Sequence, residues 1–457
     1  MSVIVSLDNI PSKFAERLQH HLIVRSAPPP KFNQSLAQRI AAQYRNQTQV
    51  QCFDTFVEGG KTMVCLPFSF YYHHCSQLKK QPLPKHIQTK VKFQGNLLQR
   101  QIDIKDEAIE ILSRTGSVLL CLHTGFGKTI FTLYLSARIG LRAIVLCHRA
   151  IIMQQWLESI QKYLPDCTAC VLQPGDYEKH GADVWNGIDI LVCNPINIPK
   201  IPREVFKQFG TVIVDEVHTI CTQQFSKALF CLVPSYLIGL SATPFRSDGM
   251  DTILEYYIGP EMVSKEMKRF FNAYKLPTKF EPEVEETFDG KLNWNSVLES
   301  QATSEERNKL ICKLVWYFGT RNILILVKRK DHALELKRML IDMGEDADVF
   351  IHTAKKVNYD CRILIATYSK GGVGFDHPKL DMLITGADVE ENFMQYLGRI
   401  FRRDAITPMY IDLRDDMPVL VKHSQSRLKI CKDVGASVKD FYKVFGAFEM
   451  YTNKLKF

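Results

Sequence analysis

The sequence lacks any run of 18 or more uncharged apolar residues, the length that a helix needs to cross a bilayer. Its first segment also lacks the basic stretch followed by an apolar stretch that marks a secretory signal peptide. We therefore expect neither a membrane span nor export. Apolar residues make up 46% of the 457 residues and charged residues 23%, which excludes a mainly disordered protein.

A disulfide framework is not indicated either. The 13 cysteines are an odd number and are scattered through apolar segments such as SVLLCLH and ILVCNP. This usage is typical of reduced core thiols, so we expect an intracellular, reducing compartment such as the cytoplasm or the nucleus. The carboxylate cluster of a nuclease is missing as well, so a cutting domain is not expected.

Acidic residues are scarce at one end of the chain. Residues 1–92 contain 12 Lys or Arg and 4 Asp or Glu, whereas the other 365 residues contain 46 and 45. A basic end favours a polyanionic partner, with nucleic acid ahead of an anionic membrane. A solvated basic surface explains the same charge equally well, so charge alone does not decide the function.

The chain is predicted to divide into four parts. Residues 1–92 form a small basic α+β domain, because a helical stretch at 32–45 precedes a hairpin at 50–70 with a Glu-Gly-Gly-Lys turn. Two α/β lobes follow, at 93–265 and 303–457, and an acidic linker at 266–302 joins them.

Both lobes carry the pattern of a parallel sheet. Apolar runs too continuous for one-sided strands alternate with helical stretches, which is typical of a sheet covered on both faces. The runs are SVLLCL, RAIVLC, IDILVC, TVIVDE and YLIGLSA in the first lobe, and NILILV, ADVFIH, RILIAT, DMLITG and PMYIDL in the second. The fold class is therefore α/β.

A glycine-rich turn lies directly after an apolar strand and directly before a helix. Glycines let backbone N–H groups close around phosphate oxygens, and the helix N-terminus adds its positive dipole end. Lys128 would supply a cation to the phosphates of ATP, and the Thr129 hydroxyl would ligate Mg²⁺. The alternative is an ordinary strand-to-helix turn with an exposed lysine. The predicted nucleotide-binding residues are Thr124, Gly125, Gly127, Lys128 and Thr129.

An acidic pair follows a later strand, where TVIVDEVHTI places Asp215 and Glu216 at the strand's carboxyl end. Ligands of open parallel sheets bind at these ends, so the carboxylates are predicted to emerge beside the glycine-rich turn. Asp215 would hold Mg²⁺ through water, and Glu216 would act as general base on the attacking water. Such pairs often simply end strands, so the pair is weak evidence by itself.

With these motifs the sequence resembles superfamily 2 helicases and translocases of the DExH type, over roughly residues 97–415. Further segments match that family in the expected order: AIIMQQWLESI from Ala150, SATPFRSDG from Ser241, ATYSKGGVGFD from Ala366 and QYLGRIFRR from Gln395. The resemblance implies two RecA-like lobes, ATP bound between them, and a nucleic-acid groove that contacts backbone phosphates without reading bases.

The last of these motifs has a direct physical interpretation. Its spacing predicts that Arg399 and Arg402 project from one face of a helix. The family places them, with Gln395, at the nucleotide, where guanidinium groups suit the charge that develops in phosphoryl transfer. Two solvated arginines on a basic helix are the alternative.

The resemblance assigns roles to further residues. Asp376 is expected near the nucleotide sugar and Gln101 near the adenine. The residues implied in nucleic-acid contact and its coupling to hydrolysis are Arg149, Ser241, Thr243 and Thr367.

Within the superfamily, the Leu before the phosphate loop and the Arg246-x-Asp248-Gly249 element look like the XPB-type DNA translocases. The compact size resembles XPB-like helicases of large cytoplasmic DNA viruses, such as the poxvirus transcript-release helicase and an asfarvirus helicase. A viral protein of this kind would work in the host cytoplasm or the virion.

The resemblance thus implies an ATP- and Mg²⁺-dependent helicase or translocase that acts on DNA in transcription or repair. It would be a monomer or a subunit of a complex, possible partners being nucleic acid and the transcription machinery, with no membrane. An RNA helicase is the alternative within enzymes, because the 2′-OH that distinguishes RNA leaves no motif in the sequence. A non-catalytic nucleic-acid-binding module with a decayed ATPase is the alternative outside them, and intact Lys128, Asp215 and Glu216 argue against it.

Overall fold

The computed structural model describes residues 1–26, 49–123, 125–222, 224–242, 250–288, 290, 292–351, 358–371, 377–390, 392–403, 405–452 and 455. The chain forms two compact units, Met1–Lys265 and Glu266–Phe457, and each contains a seven-stranded sheet. Among the helices of the described residues, none is both long and apolar enough to span a bilayer.

The first unit begins with a three-stranded antiparallel sheet in the order β1-β5-β4, and β2 pairs with β3 beside it. The predicted hairpin is confirmed: Glu58 pairs with Lys61, and Gly59 and Gly60 adopt the positive φ angles that this two-residue turn requires. The predicted helix at 32–45 lies outside the described residues. The strands are β1 (Ser2–Ser6), β2 (Ile23–Arg25), β3 (Gln49–Gln51), β4 (Asp54–Glu58) and β5 (Lys61–Pro67).

The seven-stranded sheet of the first unit is entirely parallel, in the order β12-β6-β11-β10-β7-β9-β8. The five apolar runs predicted for this lobe form five of its strands, and four of them are buried along their whole length, as expected for a sheet covered on both faces. The strands are β6 (Ser117–Leu122), β7 (Ala143–Leu146), β8 (Ala169–Val171), β9 (Ile190–Cys193), β10 (Thr211–Val214), β11 (Tyr236–Ser241) and β12 (Met262–Lys265).

The helices of the first unit alternate with these strands. They are α1 (Ser12–His21), α2 (Phe68–His74), α3 (Gln99–Thr115), α4 (Lys128–Ile139), α5 (Ala150–Tyr163), α6 (Pro174–His180), α7 (Val217–Ile220), α8 (Ser226–Cys231) and α9 (Thr252–Tyr257). Short 3-10 helices lie at Leu7–Asn9, Gly181–Trp185, Pro195–Lys200 and Arg203–Gln208.

The N-terminal segment shares its core with the parallel sheet. Phe70 packs edge-to-face on Tyr256 with the ring centroids 4.8 Å apart. Phe68 approaches Gly116, the residue that ends α3 in a left-handed conformation before β6. The predicted boundary near residue 92 therefore falls inside one compact unit rather than between two.

The second unit has an entirely parallel sheet in the order β15-β16-β14-β17-β18-β13-β19. Its five predicted runs are all present as strands. The predicted linker at 266–302, however, contains β13, which pairs with both β18 and β19, and most of α10. The strands are β13 (Phe271–Pro277), β14 (Ile323–Val327), β15 (Ala347–Phe350), β16 (Ile363–Thr367), β17 (Met382–Thr385), β18 (Met409–Arg414) and β19 (Ala436–Asp440).

Helices flank the second sheet and enclose an apolar core of strand residues from its inner positions. They are α10 (Trp294–Thr303), α11 (Glu305–Tyr317), α12 (Lys330–Asp342), α13 (Tyr368–Gly371), α14 (Phe393–Leu397), α15 (Pro418–Asp433), α16 (Phe441–Val444) and α17 (Phe448–Thr452), with a 3-10 turn at Gly398–Ile400.

Candidate functional site

The glycine-rich turn connects β6 to α4, as predicted. Gly125 and Gly127 have φ angles of 86° and 93°, which residues with a Cβ rarely adopt. α4 begins at Lys128, so its unpaired N-terminal N–H groups lie at the turn. The Lys128 ammonium donates to the Leu122 carbonyl at the carboxyl end of β6, 3.0 Å away. The N-terminus of α4 and Lys128 thus place positively polarised groups at the turn, where an anion can bind.

Two residues of α3 donate hydrogen bonds to carbonyl groups of this turn. The Gln101 amide donates to the Gly127 carbonyl at 3.1 Å, and its oxygen accepts the Leu98 N–H at 2.8 Å. Arg100 donates to the Gly125 carbonyl at 3.0 Å. A Cβ on Gly127 would lie 2.5 Å from the Gln101 amide nitrogen and would displace it, and the φ of 93° disfavours any residue with a side chain. Gln101, predicted to read adenine, is fully buried, and its amide joins the phosphate loop to the start of α3.

The acidic pair follows β10, and β11 alone separates β10 from β6 in the sheet. Because all three strands are parallel, the Asp215-Glu216 loop and the glycine-rich turn emerge at the same sheet edge. Glu216 has a φ of 47°, an uncommon left-handed conformation for a residue with a side chain. Its Oε2 atom is buried and makes no hydrogen bond to any residue that the structure describes, although His218 Nδ1 lies 3.7 Å away.

Asp215 is partly buried at the centre of this edge. Burial raises its pKa to about 6, and the adjacent Glu216 charge acts in the same direction. A hydrogen bond from Trp156 and the positive charge of Lys128 oppose that rise. The Trp156 indole N–H donates to Asp215 Oδ2 at 2.9 Å, and the Glu216 N–H donates to Oδ1 at 3.0 Å. The carboxylate therefore has one defined donor on each oxygen.

A second group of polar residues connects this loop to its neighbours. The Thr219 hydroxyl donates to the Glu216 carbonyl at 2.8 Å and lies 3.3 Å from His148 Nδ1. Arg149 Nε donates to His148 Nε2 at 3.2 Å. His218 Nδ1 and the Ser241 hydroxyl are 3.0 Å apart. Arg149 and Ser241 are both predicted to couple nucleic acid to hydrolysis. Three successive hydrogen bonds, through His148 and Thr219, connect Arg149 to the Glu216 carbonyl, and Ser241 contacts His218, two residues after Glu216.

Burial lowers the pKa of His148, and the nearby charges of Arg149 and His218 lower it further. The neutral imidazole can accept from Arg149 Nε at Nε2 while its Nδ1–H donates to the Thr219 hydroxyl. His148 is therefore suited to join a cationic side chain to the acidic loop without carrying a charge itself.

The second unit contains the remaining predicted residues. Thr367 ends β16, and its hydroxyl lies 3.2 Å from that of Ser369. Gln395 is buried in α14. The single helix predicted for the last motif is wrong: α14 ends at Leu397, Arg399 lies in a 3-10 turn, and Arg402 follows it in irregular chain. Arg399 and Arg402 do not share a helical face, because the 3-10 turn that contains Arg399 ends at Ile400, two residues before Arg402.

Three predicted site residues lie outside the described residues, namely Thr124, Thr243 and Asp376, and so does the Arg246–Gly249 element. Among the residues that the structure does describe, no group of three or more His, Cys, Asp or Glu side chains gathers as a metal cage. The site residues that the sequence did not reveal are Arg100, His148, Trp156 and Thr219. The Gln-Gln-Trp triplet marked the position of Trp156 but gave no indication of its contact with Asp215.

A phosphate loop beside a partly buried carboxylate pair, in a chain of two α/β units that each contain a parallel sheet, defines the class of RecA-like ATPases. Comparison with solved structures supports this fold: yeast Dbp5 bound to RNA and ADP BeF3 matches with a TM-score of 0.52 at 15% identity, over 79% of this chain and 98% of that chain. The family model described as "Type III restriction enzyme, res subunit" matches residues 93–246, the segment that contains both nucleotide motifs.

Curated relatives identify the family. "Putative helicase 161L" of Invertebrate iridescent virus 6 is 36% identical over 77% of this chain and 84% of its own length. "Putative helicase 055L" of Frog virus 3 is 30% identical over 84% of this chain and 88% of its own length. The chain belongs to the superfamily 2 helicases, alongside helicases of large DNA viruses. It is a nucleic-acid-dependent ATPase of that family.

Proposed function

We propose that the first unit hydrolyses ATP at the edge formed by the glycine-rich turn and the acidic loop. The observation that carries this proposal is the buried Glu216 Oε2, which has no hydrogen-bond donor among the described residues and lies beside a loop built to hold phosphate. A buried acceptor without a donor is costly, so it is kept where a substrate proton or water completes it. Glu216 would accept the proton of the attacking water, and Lys128 would hold the terminal phosphates.

The same residues fit Mg²⁺. Carboxylate and hydroxyl oxygens together with phosphate oxygens are the ligands that this ion prefers. Asp215, through water, and the Thr129 hydroxyl in the first turn of α4 would hold it. Bound Mg²⁺ supplies positive charge that offsets the charge of the phosphates.

For the remaining predicted residues of both units we propose the roles that the family resemblance implies. Arg399 and Arg402 would stabilise the charge that develops on the transferred phosphate, and Gln395 would contact the nucleotide. Thr243 and Thr367, with Arg149 and Ser241, would serve nucleic-acid contact and its coupling to hydrolysis. Asp376 would lie near the ribose. Gln101 would serve the adenine, while its contacts with Gly127 and Leu98 support an added role in holding the phosphate loop.

We further propose that the substrate is DNA and that the enzyme translocates on it in transcription or repair, as the resemblance to XPB-type translocases implies. RNA is the second candidate, because relatives from mimivirus and African swine fever virus carry the name "Putative ATP-dependent RNA helicase" at 23% and 21% identity. The work would take place in a reducing compartment, which the free thiols of all the cysteines in the chain support.

ATP turnover measured with duplex DNA, single-stranded DNA and RNA distinguishes these substrates. We expect stimulation by DNA in the wild type and its loss in Lys128→Ala. Stimulation by RNA alone would overturn the DNA proposal, and unchanged turnover in Lys128→Ala would overturn the assigned site.

The basic residues of 1–92 are proposed as an accessory contact for the same nucleic acid. Neutralising Lys79, Lys80 and Lys85, which follow α2, should weaken DNA binding and flatten its dependence on salt, because each phosphate contact releases counterions. An unchanged salt slope would make them a solvated surface only.

A further inference from the structure

Trp156 makes a polar contact that its surroundings make costly to lose. The side chain is 1% exposed, and its indole N–H, which can only donate, points at Asp215 Oδ2 from 2.9 Å. A buried indole N–H usually has an acceptor, and here the acceptor is Asp215. A hydrogen bond to an ionised carboxylate is also about twice as strong as one between neutral groups. This contact therefore fixes the direction in which the carboxylate points.

The donor on the other oxygen comes from the acidic loop itself. Oδ1 accepts the N–H of Glu216, the next residue along the chain, so that contact moves with the loop. Trp156 belongs to α5 instead, and among the hydrogen bonds that define this carboxylate it is the one supplied by another element. The orientation of Asp215 thus depends on the position of α5.

The segment that leads into α5 contacts the acidic loop at a second place. The residue before the helix is Arg149, and His148 beside it lies within 3.3 Å of the Thr219 hydroxyl. That hydroxyl donates to the Glu216 carbonyl. His148, two residues before α5, is therefore connected to the Glu216 carbonyl through Thr219, and Trp156 in the second turn of α5 contacts Asp215.

We propose that Trp156 is a positioning residue that sets the Asp215 carboxylate for Mg²⁺-nucleotide and links it to the end of α5 that contains Arg149. This inference rests on the proposed ATP and Mg²⁺ site. Trp156 does not touch the reacting atoms: its effect passes through Asp215. Displacement of α5 at its Arg149 end changes the orientation of the metal-binding carboxylate.

Trp156→Phe removes the N–H and keeps an aromatic ring in the core. Trp185→Phe is the matched control, because Trp185 is also 1% exposed, stacks on Tyr177 and lies in the same unit. We expect the Mg²⁺ concentration for half-maximal ATPase to rise roughly tenfold in Trp156→Phe, together with a smaller stimulation by nucleic acid, and to stay unchanged in Trp185→Phe. Circular dichroism would show both variants folded.

Tryptophan fluorescence tests the positioning role without measuring ATP turnover. The chain has four tryptophans, so Phe at three of them leaves either Trp156 or Trp185 as the single emitter. Titration with Mg²⁺ in the presence of ADP should change the emission of the Trp156 protein, because the charge beside its indole changes. The Trp185 protein carries Trp156→Phe, so its titration continues to the Mg²⁺ concentration that saturates that variant, and its emission should stay constant.

The outcomes separate the two proposals. If nucleic acid did not stimulate the ATPase activity of the wild type, the proposed function would be wrong. An active wild type in which Trp156→Phe and Trp185→Phe show the same Mg²⁺ dependence, and in which Trp156 emission ignores Mg²⁺ and ADP, would overturn the positioning role and leave the function intact.

Discussion

Each unit contains a seven-stranded parallel sheet, but the carboxylates of the acidic loop and those of the second unit's core differ in how they are paired. In the first unit, burial and the Glu216 charge raise the pKa of Asp215, and Glu216 Oε2 has no hydrogen-bond partner within the described part of the chain. In the second unit, Asp412 accepts from Arg427, Tyr410 and Ser424. Asp415 is similarly surrounded, since it accepts hydrogen bonds from Arg307, Gln301 and Thr278.

The difference in pairing matches a difference in role: the acidic loop of the first unit is the proposed reactive site, whereas the paired carboxylates of the second unit stabilise its structure. The paired charges of the second unit hold the chain that leaves β17: Arg307 donates to the Gly386 carbonyl, Tyr368 to that of Ala387 and Arg427 to that of Val389. That chain continues directly into α14 and the Gln395–Arg402 motif. Fully paired charges can fix a loop, whereas a carboxylate meant to bind a substrate or an ion must keep part of its capacity open.

The largest expected effect is on ATP turnover and comes from replacing Glu216, whose Oε2 has no hydrogen-bond partner among the described residues. Glu216→Gln keeps the shape of the side chain but removes the base, so ATP turnover should fall by roughly 10²- to 10⁴-fold. Binding of a fluorescent nucleotide should change far less, because this substitution leaves the phosphate loop intact. Turnover within about threefold of the wild type would mean that the unpaired Oε2 has no part in the chemistry, since a general base contributes at least about 10²-fold.

A large loss of stability should follow from breaking a saturated pair. Arg307 and Asp415 are both 1% exposed as side chains. Arg307→Met leaves a buried carboxylate without its cation, which costs about 3–5 kcal/mol of unfolding free energy. The loss of unfolding free energy is measured by urea unfolding of the full chain, in which the transition of the second unit is monitored.

The matching double variant sharpens that test. Replacing both partners, Arg307→Met with Asp415→Asn, removes the uncompensated charge and should recover part of the loss. A double variant no more stable than Arg307→Met alone would show that packing, and not charge pairing, accounts for the effect.

Local patterns predicted the parts of this molecule that depend on local chemistry. Continuous apolar runs identified the central strands, and the glycines before Lys128 identified the phosphate loop, where they adopt positive φ angles. Strands with a mixed polar pattern were not predicted from the sequence. Examples are β12, where three of the four residues are exposed, and β19. A strand that is paired but little buried leaves no apolar period to detect.

The contacts that complete the site could not be predicted, because they join distant residues. Trp156 and Asp215 are separated by 59 positions, and nothing in either local sequence encodes their hydrogen bond. The end of α14 at Leu397 also depends on its surroundings, since the segment after it packs into the second unit with Arg399 and Ile400 buried. Spacing alone therefore predicted the motif but not its geometry.

A smaller effect is expected at His332, a buried residue of the second unit whose neutral Nε2–H donates to Asn308 Oδ1 at 2.8 Å. Burial, and secondly the Arg307 charge, lower its pKa to about 3. The unfolded chain binds this proton near pH 6.5, so stability is full above that pH and falls as the pH drops toward 3. Between about pH 7 and pH 5 the loss should be about 2 kcal/mol.

His332→Gln provides the control for that pH dependence, because the Gln amide can donate to Asn308 without titrating. The difference in unfolding free energy between wild type and variant, measured at both pH values, isolates the histidine from the carboxylates of the chain. An equal pH dependence in the two proteins would contradict the lowered pKa.

The smallest effect is expected at a half-exposed pair of the same unit. Lys337 Nζ lies 2.8 Å from Asp348 Oδ1, but the two side chains are 32% and 31% exposed, and Asp348 also accepts from Asn358. Lys337→Met should therefore cost less than about 1 kcal/mol, and added salt should reduce even that, since water already stabilises the carboxylate. Arg307→Met exchanges a cation for the same residue in the same unit. If both variants lost equal stability, burial would not determine how much an ion pair contributes to the stability of this protein. The contrast between the incompletely paired site and the fully paired core of the second unit would then be wrong.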